Sequence, residues 1–316
     1  MGARSIPGGY GLSPVSFIIK NNGDGTMEPF WQGQLGMVTD ALWHNVDNDP
    51  ELELVAVGDW MTPVILDLQE DKKFKKDQLA GAENLYGFWK TISVADLNND
   101  QQEDLVLGNI GENTKLYASE QTPIFLYLDD FDENEQLDPI IFYNFFGRYR
   151  PLNTKNDLQT QMPMIKKRFP NYKKFSKVET IEELTGFKEK DILEIKKVNT
   201  TASLALIKSE GKYSVEKLPQ EAQYSNIRDF YWDAEKKQLF YVGNAQEYVT
   251  EIGNTAANPG GVISVQLNDV FSLKHQAFLP LPVRFNMRSI KPLERDSFLL
   301  LTNNDYVYLL NDRQND

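Results

Sequence analysis

The feature that most constrains this chain is an acidic turn that occurs three times, each time directly before a short apolar run. In residues 96–104 the oxygen-bearing side chains fall at positions one, three, five and nine of the turn, and Leu105–Leu107 follow. Alternate side chains on a tight turn can converge on one point, and calcium binds about six to eight oxygens at roughly 2.3–2.6 Å. The spacing therefore predicts a cation-binding turn that leads into a β-strand.

The other two copies span residues 45–53 and 130–138. Positions one, three, five and nine of each copy hold three carboxylates and one asparagine, and this concentration of like charge favours a bound cation. Position seven is included as a further candidate ligand. The predicted metal ligands are Asn45, Asp47, Asp49, Glu51 and Glu53; Asp96, Asn98, Asp100, Gln102 and Asp104; and Asp130, Asp132, Asn134, Gln136 and Asp138.

An EF-hand loop and a solvated hairpin are the two other interpretations of these acidic turns. An EF-hand requires a bidentate glutamate at position twelve, but that position is Ala56, Leu107 and Ile141, so the turns are not EF-hands. The remaining alternative is an acidic hairpin turn that is solvated by water alone. The repetition of the spacing before a strand favours calcium.

Short strand-like runs recur along the whole chain. Gly58 and Gly108 close the strands that follow the first two turns, and they stand fifty residues apart, which is about the length of a four-stranded blade. The runs around Phe17, Ile65, Leu204 and Ile263 repeat one pattern of strand, turn and strand, which predicts that these four strands occupy equivalent places in successive blades. This self-similarity predicts an all-β fold, a β-propeller of four-stranded antiparallel blades with about five visible units.

The three turns, with the glycines that close the strands after them, resemble the FG-GAP/VCBS repeats of integrin-alpha-like β-propellers. More narrowly, the chain is similar, from about Arg4 to Asn311, to repeat proteins of Bacteroidetes-type bacteria that often carry ASPIC/UnbV domains. Position six of the family's turn is usually glycine, whereas here it is Pro50, Gln101 and Glu135. The resemblance implies about seven blades, calcium as the bound ion, and an extracellular, cell-surface or periplasmic location.

Residues 153–187 interrupt the strand pattern. Leu158–Phe169 and Thr180–Leu184 place apolar residues at helical spacings, which predicts a helical insertion between two blades. Residues 1–316 are expected to form a single propeller domain or a fragment of a propeller. Residues 166–175 interleave basic and aromatic side chains, a pattern found both in single-stranded nucleic-acid surfaces and in solvated helices with buried aromatics. The net charge of −13 favours the second interpretation, so no nucleic-acid partner is expected.

The remaining composition limits the possible functions. The chain has no cysteine, its apolar runs are too short for a membrane span, and no secretory signal is visible, so the resemblance implies that a signal lies upstream or was removed. We expect a calcium-stabilised, non-catalytic module that binds a protein or glycan ligand at the cell surface, without membrane insertion. The alternative is an enzyme or accessory domain acting on polysaccharide, with a site built from residues such as Trp60, Arg148 and Tyr248.

Overall fold

The computed structural model describes residues 1–47, 49–69, 73–246, 252–267, 271–294, 297–303 and 306–311. Antiparallel strands dominate these residues, as the alternating apolar pattern predicts. The strands are β1 (Val15–Asn21), β2 (Met27–Gln34), β3 (Met37–His44), β4 (Glu53–Met61), β5 (Val64–Leu68), β6 (Phe74–Gln78), β7 (Gly87–Phe88), β8 (Thr91–Ala95), β9 (Asp104–Gly108), β10 (Ile124–Asp129), β11 (Asp138–Phe145), β12 (Arg148–Pro151), β13 (Glu194–Val198), β14 (Leu204–Ser209), β15 (Lys212–Lys217), β16 (Ile227–Asp233), β17 (Gln238–Gly243), β18 (Gly260–Gln266), β19 (Ser272–Phe278), β20 (Met287–Glu294), β21 (Ser297–Thr302) and β22 (Tyr308–Asn311).

Within the described ranges the strands form a separate β1–β2 hairpin and five antiparallel sheets. Sheet I has the order β3-β4-β5-β6, with β7 beside the end of β4. Sheet II has the order β8-β9-β14-β15, sheet III the order β13-β10-β11-β12, sheet IV the order β16-β17-β18-β19, and sheet V the order β20-β21-β22. The prediction of an all-β fold is therefore confirmed. Sheets II, III and IV have the predicted four antiparallel strands, whereas sheet I has five and sheet V has three in the described ranges.

Alternating side chains bury the sheets on both faces. In β9, Leu105 and Leu107 pack toward sheet I, whereas Val106 packs toward sheet IV. In β17, Leu239 packs toward sheet II and Phe240 toward sheet V. The β1–β2 hairpin covers the outer face of sheet I. Sheets I, II, IV and V are thus stacked in chain order, and their first strands, β3, β8, β16 and β20, lie next to one another in that order.

Sheet III is inserted into sheet II, between β9 and β14, and its strand β13 lies beside β4. Helices α1 (Lys155–Gln161), α2 (Met164–Arg168), α3 (Tyr172–Phe175) and α4 (Ile181–Thr185) connect β12 to β13. These helices fall within the predicted interval 153–187. They connect two strands of one sheet, however, and not two successive blades as expected.

The helices cover one face of sheet III, and described residues of sheet I pack against the other face. Leu158, Ile165 and Leu184 are fully buried against β11, where Ile140 and Phe142 complete the same apolar cluster. The aromatic residues of the basic segment, Phe169 and Phe175, are buried in this cluster too. Their burial supports the interpretation of residues 166–175 as helices with a solvated basic face.

The repeat pattern predicted equivalent strands correctly in three of its four places. Ile65, Leu204 and Ile263 lie in β5, β14 and β18, each of which pairs with the second strand of its sheet. Phe17 differs, because it lies in the separate β1–β2 hairpin.

Glycine late in the second strand is required by close contact with neighbouring backbone. Gly108 and Gly243 are the last residues of β9 and β17, whereas β4 continues past Gly58 to Met61, so the prediction that Gly58 closes its strand is wrong. A Cβ on Gly58 would lie 2.0 Å from the carbonyl oxygen of Met37, and one on Gly243 would lie 1.8 Å from that of Asn226. The recurring glycine therefore allows the start of the first strand to approach the end of the second strand.

Replacing Gly243 by alanine should destabilise the protein by about 2–4 kcal/mol, because the new Cβ forces the backbone at Asn226 to move. Gly23→Ala is the control, since its Cβ meets nothing within 4 Å and only the left-handed φ of 81° adds a cost of about 1 kcal/mol. Urea denaturation measures the free energy of unfolding of both variants. Equal losses in the two variants would show that the contact at Gly243 is not limiting.

Candidate metal centres

The three acidic turns occupy the same place in three sheets. Turn 1 (residues 45–53) connects β3 to β4, turn 2 (residues 96–104) connects β8 to β9, and turn 3 (residues 130–138) connects β10 to β11. Each turn therefore joins the first strand of a sheet to the second. This confirms the prediction that each turn leads into a strand; residue 48 of turn 1 lies outside the described residues.

Position nine of each turn is a buried carboxylate at the first residue of the second strand. Glu53, Asp104 and Asp138 are at most 3% exposed. Each accepts a hydrogen bond from the backbone N–H of position two, over 2.6, 2.9 and 3.2 Å respectively. This bond ties the start of the turn to the strand that follows it.

Turns 2 and 3 share a second set of bonds. The carboxylate of Asp96 accepts from the backbone N–H groups of positions five and six over 3.1 and 3.2 Å, and that of Asp130 does so over 2.9 and 2.7 Å. Positions four and six of both turns have φ between 59° and 68°. Gln101 and Glu135 thus adopt at position six the left-handed backbone for which the family uses glycine, whereas Pro50 of turn 1 cannot.

The predicted ligands at position seven accept none of these hydrogen bonds with their side-chain oxygens. Instead, the backbone N–H groups of Glu51, Gln102 and Gln136 donate to the side chain at position five, over 2.7 to 2.8 Å.

Turn 3 brings three carboxylates together. One oxygen from each of Asp130, Asp132 and Asp138 lies within 4.8 Å of the others. Oδ1 of Asp132 is buried and has no hydrogen-bond partner among the described residues. A buried carboxylate oxygen without a donor is costly, so this atom fits the position of a cation ligand.

Turn 1 forms a similar cluster from different positions. Asp47, Asp49 and Glu53 each place an oxygen within 4.8 Å of the others. The amide of Asn45, at position one, donates to the backbone carbonyl of Asp49. The neutral residue at position one therefore closes the loop, and the three carboxylates follow it.

Turn 2 does not bring its three carboxylates together to this distance. Asp96, Asp100 and Asp104 are all described residues, and they form no such group. Asn98, at position three, donates its amide to Oδ2 of Asp100 over 2.9 Å. Position three is thus an asparagine in turn 2, whereas it is an aspartate in turns 1 and 3. The hydrogen bond of this asparagine satisfies the carboxylate at position five.

Burial changes the acidity of the position-nine carboxylates. It raises the pKa of Asp104 to about 6, although backbone N–H groups of Lys208 and Leu97 donate to it. Burial also raises the pKa of Glu53 and of Asp138, and the nearby charge of Asp132 adds to the effect at Asp138. The ionised forms are therefore disfavoured until a positive charge is added, which is what a divalent cation supplies.

Two of the three residues named for the enzymatic alternative are described by the structure. Trp60 is buried, whereas Arg148 is exposed on sheet III, and Tyr248 lies outside the described residues. Of the two histidines, His44 has its Nε2 3.3 Å from the hydroxyl of Tyr213, and the ring of His275 contacts that of Phe278 at a tilt of 49° with the ring centres 4.4 Å apart.

One feature, a cavity, was not predicted as such, although the enzymatic alternative named Trp60, which lines it. A cavity of about 400 Å³ lies between sheets I and III, and Trp60 and Lys90 are among the residues that line it. Asp59 also lines the cavity. Its position in the repeat is unusual, because asparagine follows the corresponding glycines Gly108 and Gly243.

Comparison with known proteins does not assign a family to the chain. No protein-family model matches it, and no curated protein matches it. Among the described residues, no helix has the length and apolar character needed to cross a membrane.

Replacing Asp104 by alanine should destabilise the metal-free protein by about 2–4 kcal/mol, because two buried backbone N–H groups, of Leu97 and Lys208, lose their acceptor. Asp100→Ala removes only exposed hydrogen bonds and should cost about 1 kcal/mol or less. Urea denaturation in chelator measures the free energy of unfolding of both variants. A loss at Asp100 as large as that at Asp104 would contradict the structural role of position nine.

Proposed function

We propose that this chain is a calcium-stabilised β-propeller domain that serves as a non-catalytic binding module of an exported or cell-surface bacterial protein. The observation that carries the proposal is the cluster of turn 3, in which three carboxylates converge and Oδ1 of Asp132 is buried without a partner. Folding alone would leave these charges in mutual repulsion, and a bound cation removes it.

The arrangement of the sheets supports the propeller. Sheets I, II, IV and V follow one another in the chain, each packs on the next, and their first strands lie side by side. This is the relation between neighbouring blades around a central axis. Sheet III would then be an addition to the blade formed by sheet II. The acidic turns and strand-closing glycines that resemble FG-GAP/VCBS repeats support the same assignment.

The donor set favours calcium among the common cations. Turn 3 would hold the ion through Asp130, Asp132 and Asp138, and turn 1 would do so through Asp47, Asp49 and Glu53. All six are carboxylates, which hard cations prefer. Magnesium demands a tight octahedral shell and loses its water reluctantly, so it fits irregular loops poorly.

The bound ion would act on the fold and not on a substrate. It would supply the positive charge that lets the carboxylates of a turn remain ionised, and it would hold the first strand of a sheet to the second. Turn 2 keeps its predicted ligands as a third candidate, although its hydrogen bonds already satisfy much of the loop. The ligand of the module is proposed to be a protein or glycan outside the cell, on the strength of the resemblance.

Calcium should raise the melting temperature, and chelator should lower it. A site at a hundred times its dissociation constant adds about 2.7 kcal/mol of stability. Asp132→Asn should remove the share of turn 3, because one ligand charge is lost. In chelator the same variant should be at least as stable as the wild type, because it also removes one repelling charge. Differential scanning fluorimetry with and without calcium measures both effects.

Asp233→Asn is the matched control, because Asp233 is the last residue of the first strand of sheet IV and so lies at the corresponding turn. Among the described hydrogen bonds, its carboxylate accepts from the backbone N–H of Lys236 over 2.9 Å. Its calcium response should equal that of the wild type. If chelation leaves the melting curve unmoved and calorimetry detects no calcium uptake by metal-stripped protein, the turns are solvated hairpins and the proposal fails.

A further inference from the structure

The hairpin that joins β11 to β12 carries two exposed aromatic side chains at its end. Phe145 is 47% exposed and Phe146 is 92% exposed. Their rings pack edge to face with the centres 4.7 Å apart, so they form one apolar tip on sheet III. A ring as exposed as that of Phe146 adds little to the core, and the packing of sheet III therefore does not explain it.

The backbone of this turn does not favour an aromatic residue either. Phe146 and Gly147 form a two-residue turn with φ of 51° and 82°, the left-handed region that glycine and asparagine adopt at least cost. The β14–β15 hairpin has a two-residue turn with similar angles, at Glu210 and Gly211, with φ of 50° and 74°. A charged residue thus fills in one hairpin the place that Phe146 fills in the other, so the turn does not need the ring.

The surface beside the tip is basic. Residues 145–187 contain nine lysines and arginines against four aspartates and glutamates, although the net charge of the whole chain is −13. Lys173, Lys174 and Lys177 are exposed, and none of them forms an ion pair within the described residues. Phe175, which lies between them, is buried in the cluster that joins the helices to sheet III. These lysines therefore lie on the outer side of the helices.

Polar contacts hold the basic segment next to the hairpin. Arg150, in β12, donates to the backbone carbonyl of Val178 over 2.7 Å. Arg148, which directly follows the two-residue turn, lies 3.5 Å from the carboxylate of Glu179. Since Lys177 directly precedes Val178, the lysines at the end of α3 and the aromatic tip are neighbours on the surface.

The acids of turn 3 lie at the other end of β11. Asp138 is the first residue of β11 and Phe145 is the last, which separates them by roughly 20–25 Å in an extended strand. Exposed charges are screened over about 8 Å at physiological ionic strength. Turn 3 therefore contributes little to the field at the tip, where the local charge is positive.

We propose that the aromatic tip and the lysines beside it dock this protein on an anionic phospholipid surface. The rings of Phe145 and Phe146 would enter the headgroup region, where apolar and aromatic side chains leave water. The lysines would meet the lipid phosphates. The acidic remainder of the chain would be repelled, which orients the tip toward the lipid. Binding at headgroup level needs no membrane-spanning segment.

The aromatic residues of the basic segment favour a lipid surface over a single-stranded nucleic acid. Phe169 and Phe175 are buried, and the ring of Tyr172 packs against Phe175 and beneath the ammonium of Lys155, so the segment offers no row of open rings for bases to stack on. A lipid surface accepts a protruding ring without a complementary pocket. Residues 145–187 contain none of the predicted metal ligands, so the inference does not depend on the calcium sites.

Co-sedimentation with vesicles at physiological salt, with calcium present, tests the proposal. Vesicles of phosphatidylcholine and phosphatidylglycerol in equal parts should bind the protein about ten-fold or more tightly than vesicles of phosphatidylcholine alone. The double variant Lys173→Gln, Lys174→Gln should bind the anionic vesicles about ten-fold more weakly than the wild type. Lys212→Gln, Lys274→Gln is the matched control, because it removes two exposed lysines from sheets II and IV, and it should bind like the wild type.

Phe146→Asn tests the tip itself. Asparagine tolerates the left-handed backbone, so the melting temperature should be at least that of the wild type. Binding to the anionic vesicles should weaken about ten-fold, because no ring leaves water. Glu210→Asn, in the equivalent turn, is the control and should bind like the wild type.

Four results would each overturn the proposal. They are no preference for the anionic vesicles, equal losses in the two lysine variants, undiminished binding by Phe146→Asn, and a gel shift of single-stranded RNA at protein concentrations below those that half-saturate the vesicles.

Discussion

A buried carboxylate at the first residue of the second strand closes each acidic turn, and the rest of the turn depends on it. Glu53, Asp104 and Asp138 accept the backbone N–H of position two, which brings the start of the turn back to the strand. In turns 1 and 3 two further carboxylates of the turn lie close to this one, with one oxygen from each of the three within 4.8 Å of the others. Burying an acid requires compensation by donors or by a cation. In turn 2 the N–H of Lys208, in β14, supplies a further donor.

Local patterns in the sequence predict much of the fold, because strand alternation and strand-closing glycines are local signals. The acidic turns, three of the four repeated hairpins and the interval of the helices are found where they were predicted. The insertion of sheet III into sheet II was not predicted. It rests on the pairing of Leu107 with Leu204, across the whole insertion, and alternation within a strand carries no information about which distant strand it joins.

The candidate sites, like the fold, could be predicted where the signal is local and could not be predicted where it depends on the tertiary fold. Ligand spacing is the same in all three turns, yet the structure brings carboxylates together only where position three is an acid. Asp47 and Asp132 join their clusters, whereas the amide of Asn98 satisfies Asp100 by a hydrogen bond. The cavity could not be predicted, because Arg4 and Lys90 meet Asp59 only through the tertiary fold.

The central claim is that folding leaves oxygen clusters in the acidic turns that bind calcium. A crystal grown in calcium, with an anomalous difference map, tests it most directly. The account predicts peaks in turns 1 and 3, about 2.3–2.6 Å from oxygens of Asp47, Asp49 and Glu53 and of Asp130, Asp132 and Asp138. Well-ordered turns with no peak among these carboxylates, at a calcium concentration that occupies other sites in the crystal, would contradict it.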